Sequence, residues 1–416
     1  MRSDHARRLV AAAVTATLIL AACAGAPRYH LNAKGPRVKT GLERFTSWKA
    51  RKYRGRRAAL VTNHSGYDSK LRQNAGIIRE RGIEISMLLE PEHGLYGHKN
   101  HVDYGTGWYD HRVGCRVYNL YGISRHTLRI LLRRVDIVIF DIQDMGMRCY
   151  TYITNLKDVM DAMDGLDTEL IVLDRPNPVG FLGIDGAFLE AAFTTRFVSA
   201  FPAPFLYGMT MGEAARYYRG EFRRGVKLRV IPMRGYRRGR PFQKTGLPWI
   251  PPSPNLPTYE SSIVYTAIVL MEGINLSLGR GTTKPFEYIG APWIEPVAFC
   301  AALNGLGLRN FRFKPVYFTP TFSKYAGTRC GGAQIFYTGG AFSPTEIAYR
   351  IISAIMTRYR YACWIRYGRH YDIDALAGTD RFRRFINEGR PWEDFKKSTK
   401  KEIKLYKKKR RRYLLY

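Results

Sequence analysis

Val135-Asp-Ile-Val-Ile-Phe-Asp-Ile-Gln-Asp144 is a short run of branched and aromatic apolar residues that ends abruptly in acids. Its length suits a strand, and unbroken hydrophobicity from Ile137 to Phe140 suits one buried on both faces, as in a parallel sheet. Two other runs repeat the pattern. Glu84-Ile-Ser-Met-Leu-Leu89 leads into Pro91-Glu-His-Gly94, and Glu169-Leu-Ile-Val-Leu173 leads into Asp174-Arg-Pro-Asn177. Ala58-Ala-Leu-Val-Thr62, ending in Asn63-His64, reads as a fourth strand. Parallel strands bring their C-terminal ends to one edge, and open α/β sheets bind ligands in the crevice outside that edge. The acids are therefore expected to converge on one cleft, where carboxylates point to acid–base chemistry.

Outward from these strands the chain alternates between strand and helix. Residues 72–81 and 155–163 read as helices, and Met209-Thr-Met-Gly-Glu213 as a helix start with Thr210 as N-cap. The pattern predicts a mostly parallel α/β sheet. Beyond about Gly220 the texture changes. Residues 227–233 and 333–337 read as strands, and 259–271, 296–303 and 344–359 as helices, joined by long loops rich in Pro and Gly. The expected division is a first domain over 41–218, a smaller mixed α/β domain over 219–395, and a basic tail over 396–416. That tail holds eleven Lys or Arg and one Glu, and its Lys407 to Arg412 run reads as a solvated helix end or a frayed tail.

Arg2, Arg7 and Arg8 precede an apolar stretch, Leu9 to Leu20, that is too short to span a bilayer comfortably. Leu20-Ala-Ala-Cys23 resembles a bacterial lipobox. This implies a signal peptide over 1–22, lipid on Cys23 and a linker over 23–40, with a plain secretory signal or a short anchor as the other readings. Ala24, where an acid would retain a lipoprotein at the inner membrane, implies the periplasmic side of the outer membrane if the cell is Gram-negative. The formal net charge of +33 suits nucleic acid, anionic lipid or an acidic polymer. Export and the absence of nucleic-acid-binding signatures favour polymers of the cell envelope, against the plainer reading that the charge only confers solubility. Setting Cys23 aside, five cysteines remain, Cys115, Cys149, Cys300, Cys330 and Cys363. They allow at most two bridges, lack CxxC spacing, and mostly suit buried free thiols.

Two loops of the second half look too specific to be mere connectors. Residues 247–258 hold four prolines, which stiffen the backbone around Trp249, Ser253 and Asn255. Residues 275–287 combine Gly279 and Gly281, which allow close backbone approach, with Arg280, whose planar fork suits a carboxylate. The spacing is not that of a P-loop. Taken in order, Leu60-Val-Thr-Asn-His64, Pro91-Glu-His-Gly94, Phe140-Asp-Ile-Gln-Asp144, Asp174-Arg-Pro-Asn-Pro178, Gly208-Met-Thr210, Pro252-Ser-Pro-Asn255, Gly279-Arg-Gly-Thr282 and Pro285-Phe-Glu287 resemble the NamZ-type exo-β-N-acetylmuramidases, a family of peptidoglycan hexosaminidases. The likeness runs from about Gly41 to the end of the sequence. It implies a Rossmann-like first domain joined to a smaller mixed α/β (α+β) domain, with the active site in the cleft between them. It also implies hydrolysis of a terminal β-1,4-linked N-acetylmuramic acid from the non-reducing end of peptidoglycan fragments (MurNAc-GlcNAc). The lactyl carboxylate of that sugar suits a cleft with Arg280 or Arg175. Glu90, Tyr207 and Leu278 depart from the family pattern.

Glycoside hydrolysis needs a proton donor at the leaving oxygen and a second group that activates water or attacks carbon. Glu92 is the expected donor, since desolvation after a buried strand would favour its protonated form, with His93 as the alternative. A neighbouring Glu90 facing the same cleft would act in the same direction. Asp144 and Asp141 compete for the second role, with Asp174 behind them, and the substrate's 2-acetamido group is a further possibility. Asn63, His64, Arg148, Tyr150, Asp174, Arg175, Asn177, Ser253, Asn255, Arg280, Thr282 and Glu287 form the expected sugar-binding wall. Trp249, Tyr150 and Trp293 are the candidate stacking rings. No cofactor or metal is expected. Two other readings stand beside this one: a metal-dependent hydrolase using His64, Glu92, His93, His98, His101, Asp103 and Asp141, and a non-catalytic envelope-binding lipoprotein.

Overall fold

The computed structural model describes residues 38–47, 49–99, 107–195, 197–222 and 225–416. Residues 1–22, read above as a signal peptide, and Cys23, His101 and Asp103 lie outside them. The first sheet is built from β1 (Arg57–Thr62), β2 (Glu84–Glu90), β3 (Trp108–Asp110), β4 (Cys115–Asn119), β5 (Ile137–Asp141) and β6 (Glu169–Leu173). After a separate antiparallel pair, β7 (Asp185–Phe188) and β8 (Pro204–Leu206), the strand β9 (Lys227–Ile231) returns to its edge. Strand order is β3-β4-β2-β1-β5-β6-β9, parallel throughout except for β3. The chain runs outward through β2 and β4 on one side of β1, then through β5, β6 and β9 on the other. The switch point therefore lies between β1 and β5, where Asn63, His64 and Asp141 leave the sheet.

Successive side chains of a strand point to opposite faces, and here they feed two cores. Ala59, Val61, Val138, Phe140, Leu170 and Val172 enter one, while Ala58, Leu60, Ile137, Ile139, Ile171 and Leu173 enter the other. Helices Gly41–Ser47 and Asn74–Arg79 cover the second core through Leu42, Phe45, Ile77 and Ile78. Helices Arg125–Leu132, Thr151–Met163 and Met211–Glu221 cover the first. Each fully buried side chain of this size stabilises the fold by roughly 1.5–3 kcal/mol, which fixes the sheet and hence its edge.

The first core runs without interruption into the second half, taking in Leu270, Ile289, Phe299, Ile352 and Phe395. There β10 (Tyr288–Ala291), β11 (Phe311–Phe318) and β12 (Cys330–Tyr337) form an antiparallel sheet in the order β10-β12-β11. Helices Tyr259–Ile268, Pro296–Gly305 and Pro344–Arg358 pack around it. The α/β class holds, as does the Thr210 cap, which forms a full capping box with Glu213.

Three expectations are corrected. The strand at 227–231, assigned to the second domain, pairs with β6 in the first sheet. The helix expected from 155 begins one turn earlier, at Thr151. The basic segment 396–416 is not a separate tail, although Lys407 to Arg410 do form the expected helix end. It belongs to the helix Trp392–Arg410, whose Trp392, Phe395, Thr399 and Tyr406 are buried, and to a following turn. Tyr416 is anchored by hydrogen bonds to Asp174 (2.8 Å) and to the Met233 amide (2.6 Å). All five described cysteines are free, with Cys115, Cys149, Cys300 and Cys330 buried.

Candidate active site

Strand β2 ends at Glu90, and Pro91, having no N–H, cannot extend its ladder. His93 (φ 72°) and Gly94 (φ 75°) then both adopt left-handed backbone, which costs a non-glycine residue on the order of 1–3 kcal/mol. His93 Nδ1 lies 2.9 Å from the Lys99 carbonyl, which holds the turn. The turn delivers the partly exposed Glu92 to the start of helix Thr151–Met163, where Glu92 Oε2 accepts a 2.7 Å hydrogen bond from Thr151 Oγ1. The positive end of a helix, with its unpaired amides, thus faces the Glu92 carboxylate. Glu90 turns elsewhere. Its carboxylate accepts the Leu95 amide (2.8 Å) and meets Lys99 Nζ (3.4 Å), so it is no second acid in the cleft.

Tyr152 ties this corner together. Its hydroxyl accepts from Asn63 Nδ2 (2.8 Å) and donates to the Pro252 carbonyl (2.5 Å), linking the end of β1 to the proline-rich loop. Asn63 Oδ1 in turn accepts from the amide and hydroxyl of Ser65, and Ser65 Oγ accepts the Gln143 amide. The side chain of Asn63 is thereby committed to shaping the site. Tyr150 stacks edge-on against Tyr152 and Tyr265, with ring centres 4.8 and 6.2 Å away, and its buried hydroxyl has no hydrogen-bond partner. Burial lowers the His64 pKa to about 4, and the neighbouring His93 adds to the effect, so His64 is neutral at pH 7.

The aspartates at the same edge are sealed. Asp141 is fully buried and takes Arg175 as a two-point partner, at 2.6 and 2.9 Å, with Asn74 Nδ2 at 2.8 Å. Both members of that pair are committed to architecture. Asp144 accepts from Tyr207 Oη and from the Gly146 amide (2.5 Å), while its other oxygen is buried without a partner. Burial pushes its carboxyl up to about 7, against the opposing pull of those donors. Gly146 (φ 75°) is required here, since a Cβ would lie 2.3 Å from Asn177 Oδ1. Asn177 itself bonds the Met209 carbonyl and the Val179 amide. Asp174 lies under the N-terminus of helix Met211–Glu221, accepting from Gly212 N–H, Thr210 and Tyr416. Burial and then repulsion from Glu213 push it up to about 7.

The second half contributes a cationic wall. Arg280 bonds Glu272 (3.0 Å) and lies over the Phe286 ring, which packs against Tyr265. Lys324 reaches Glu272 (3.5 Å) and the carbonyls of Glu272 and Ile274. Between a quarter and three-tenths of the Arg280, Glu272 and Lys324 side chains reach solvent. Arg280 feels the charge of Glu92, as do Tyr150, Tyr152 and Tyr265. Glu92 thus lies within electrostatic reach of Arg280. The remaining predicted positions serve the loops themselves. Trp249 packs edge-on against Phe242 and Tyr259 and donates to the Leu256 carbonyl. Ser253 Oγ accepts the Asn255 amide, Thr282 Oγ1 donates to the Gly279 carbonyl, and Glu287 pairs with Lys284 at 3.0 Å. Asn255 Nδ2 is buried without a partner. Arg148 is fully buried and bonds Ser199 (2.6 Å) and the carbonyls of Ala375 and Leu376, away from any wall. Trp293 packs against Tyr359. No group of three or more His, Cys, Asp or Glu among the described residues is arranged as a metal-ligand set.

Thr151, Tyr152, Tyr265, Glu272 and Lys324 were not singled out as site residues from sequence. Starting the helix at 155 hid the first two, and no local pattern marks Lys324. Tyr207 carried a signal as a departure from the family pattern, and it is the partner of Asp144.

Comparison with known proteins places this geometry. The family described as "Exo-beta-N-acetylmuramidase NamZ, N-terminal" matches residues 58–260, and its C-terminal counterpart matches 263–416. The peptidoglycan beta-N-acetylmuramidase NamZ of Bacillus subtilis (strain 168) is 38% identical over 400 residues, 96% of each chain. Two crystal structures of DUF1343 family proteins from Bacteroides fragilis NCTC 9343 share the fold. One has TM-score 0.81 and 31% identity over 92% of this chain and 100% of its own; the other has 0.70 and 28% over 91% and 99%. With both halves matched, the chain belongs to the NamZ family of exo-β-N-acetylmuramidases.

Proposed function

We propose that this chain is an exo-acting glycoside hydrolase that releases terminal β-1,4-linked N-acetylmuramic acid from peptidoglycan fragments, with Glu92 as the proton donor. One observation carries the assignment of Glu92. Of the five carboxylates that the sheet edge delivers, Glu92 alone is partly exposed, while Glu90, Asp141, Asp144 and Asp174 are buried. Thr151 orients it, and the cationic wall opposite, led by Arg280, suits the lactyl carboxylate of the sugar. His64, neutral and partly exposed beside the turn, offers a polar edge for the ring.

The burial of these aspartates supports giving the second role to the substrate. In this reading the 2-acetamido oxygen attacks the anomeric carbon as Glu92 gives its proton to the leaving oxygen. Water then opens the cyclic intermediate and returns a proton to Glu92, so configuration is retained. The test incubates a soluble form beginning at Ala24 with a MurNAc-terminated disaccharide and follows free N-acetylmuramic acid and its anomer. Release of the β-anomer is expected. Initial α-anomer would reject the acetamido route, and binding without release would favour an envelope-binding protein.

We also infer from the lipobox-like segment that Cys23 carries lipid and holds the enzyme at the cell envelope. Cys23→Ser is expected to move the protein from the membrane fraction to the soluble one, and unchanged fractionation would reject the anchor.

A further inference from the structure

The helix Trp392–Arg410 has a lysine-rich face that the muramidase reading does not use. At about 100° per residue, Lys396, Lys400 and Lys407 fall within about 40° of one another around its axis, with Lys397 and Lys404 flanking them. All five are exposed, and among the described residues none of them has an ion-pair or side-chain hydrogen-bond partner. The neighbouring Lys409, on another face, does pair with Glu221 at 3.4 Å, so acids are within reach of this helix where the fold uses them. The five lysines line a groove of about 600 Å³ between the helix and the segments around β7 and residue 343, with Ile184 and Ile403 among its lining.

The two acids of the groove are already engaged. Asp185 accepts hydrogen bonds from Ser343 and from the amide and hydroxyl of Thr345, and Glu346 pairs with Arg350 at 3.6 Å. The result is a concave strip of unbalanced positive charge with aliphatic lining. From Lys396 to Lys407 it runs about 16 Å, with lysines about 6 Å apart along the axis at four-residue steps. Like charges at that spacing repel each other, so the fold gains nothing by keeping them together. An external anion would relieve the repulsion.

We propose that this groove is a docking site for a linear polyanion, one with repeating phosphodiester groups on an aliphatic polyol backbone. Ammonium groups that recur every three or four residues along one side of the helix match the repeated single negative charges of such a polymer, and the aliphatic lining matches the carbon chain between them. A flat anionic membrane would meet a protruding face rather than a groove. A nucleic acid would bring bases that need aromatic platforms, whereas the ring at this groove, Trp392, is only 7% exposed. The site is separate from the Glu92 cleft, so its proposal does not depend on the glycosidase chemistry.

The test compares three soluble proteins: the parent; a groove variant, Lys396→Gln, Lys400→Gln, Lys404→Gln and Lys407→Gln; and a control that removes as much charge elsewhere, Lys70→Gln, Arg81→Gln, Arg116→Gln and Lys314→Gln. Glutamine keeps the helix propensity of lysine. Binding to poly(glycerol phosphate) is measured against salt, beside single-stranded DNA of equal charge and phosphatidylglycerol vesicles. The parent and control are expected to bind the polymer. The groove variant should bind at least tenfold more weakly, with the log–log salt slope flattened by about 3, while all three cleave a small disaccharide equally. Equal weakening in both variants would show diffuse attraction and overturn the site. Preference of the parent for DNA or vesicles over the polymer would overturn its ligand.

Discussion

Glu92 and Asp141 leave the same edge of the same sheet, at the ends of the two strands that flank β1, yet they live in different chemistry. Asp141 is fully buried and held by a guanidinium and an amide, with every strong partner supplied by the fold. Glu92 keeps one strong side-chain hydrogen bond, from Thr151, and part of its surface open. A carboxylate already satisfied by the protein has nothing left for a substrate. Delivery to the sheet edge is common to all these carboxylates, and incomplete satisfaction is what separates Glu92 from its neighbours.

The contrast can be broken most sharply at Glu92. Glu92→Gln is expected to lower turnover by about 10²–10⁴-fold with thermal unfolding unchanged, and turnover within a factor of three of the parent would remove it from the mechanism. Asp141→Asn should do the reverse. It leaves Arg175 buried without its counter-charge, and unfolding in urea should show a loss of about 3–5 kcal/mol; a variant of parental stability but dead activity would move Asp141 into the chemistry.

Asp144 sharpens the comparison through pH. Its carboxyl titrates near 7 in the folded protein against an ordinary 3.8. Between those values the folded state holds a proton that the unfolded state has lost, so this group's contribution to stability falls as pH rises toward 7. Asp144→Asn should remove that term and gain on the parent by up to about 3 kcal/mol between pH 5 and 7.5, read from denaturant midpoints. His64 works in the opposite direction. With its pKa depressed to about 4, its contribution is lost as pH falls below about 6.5, so that comparison needs both pH values in both proteins. A constant difference between the variants would mean that Asp144 is ionised throughout. The smallest effect belongs to Thr151→Ala, which frees Glu92 to rotate. A five- to tenfold loss of turnover, about 1–1.4 kcal/mol, is expected with KM little changed, and no loss would mean that the hydroxyl does not position the acid.

Much of this was legible in the chain itself. Four strands were readable because hydrophobic runs with acidic ends have few other physical meanings, and their common edge follows once they are parallel. The family resemblance rested on eight ordered motifs, each weak alone. What sequence could not resolve is the direction in which each polar side chain is satisfied. Asp141, Asp144, Asp174 and Glu92 look alike as letters after strands. Only the positions of Arg175, Tyr207, Tyr416 and Thr151, each distant in sequence or hidden by a misplaced helix start, distinguish them. The docking of helix Trp392–Arg410 was hidden for a related reason. Its charge dominates its composition, while the four residues that dock it are spaced widely enough to escape notice.

The hydrogen bond from Tyr416 to Asp174 joins positions 242 residues apart. A chain that emerges N-terminus first presents the aspartate well before the phenol that completes its surroundings. Through that interval the edge of the first sheet exists without its final latch, and a chaperone or protease meets an earlier, looser form of the enzyme than the one that later cuts sugar.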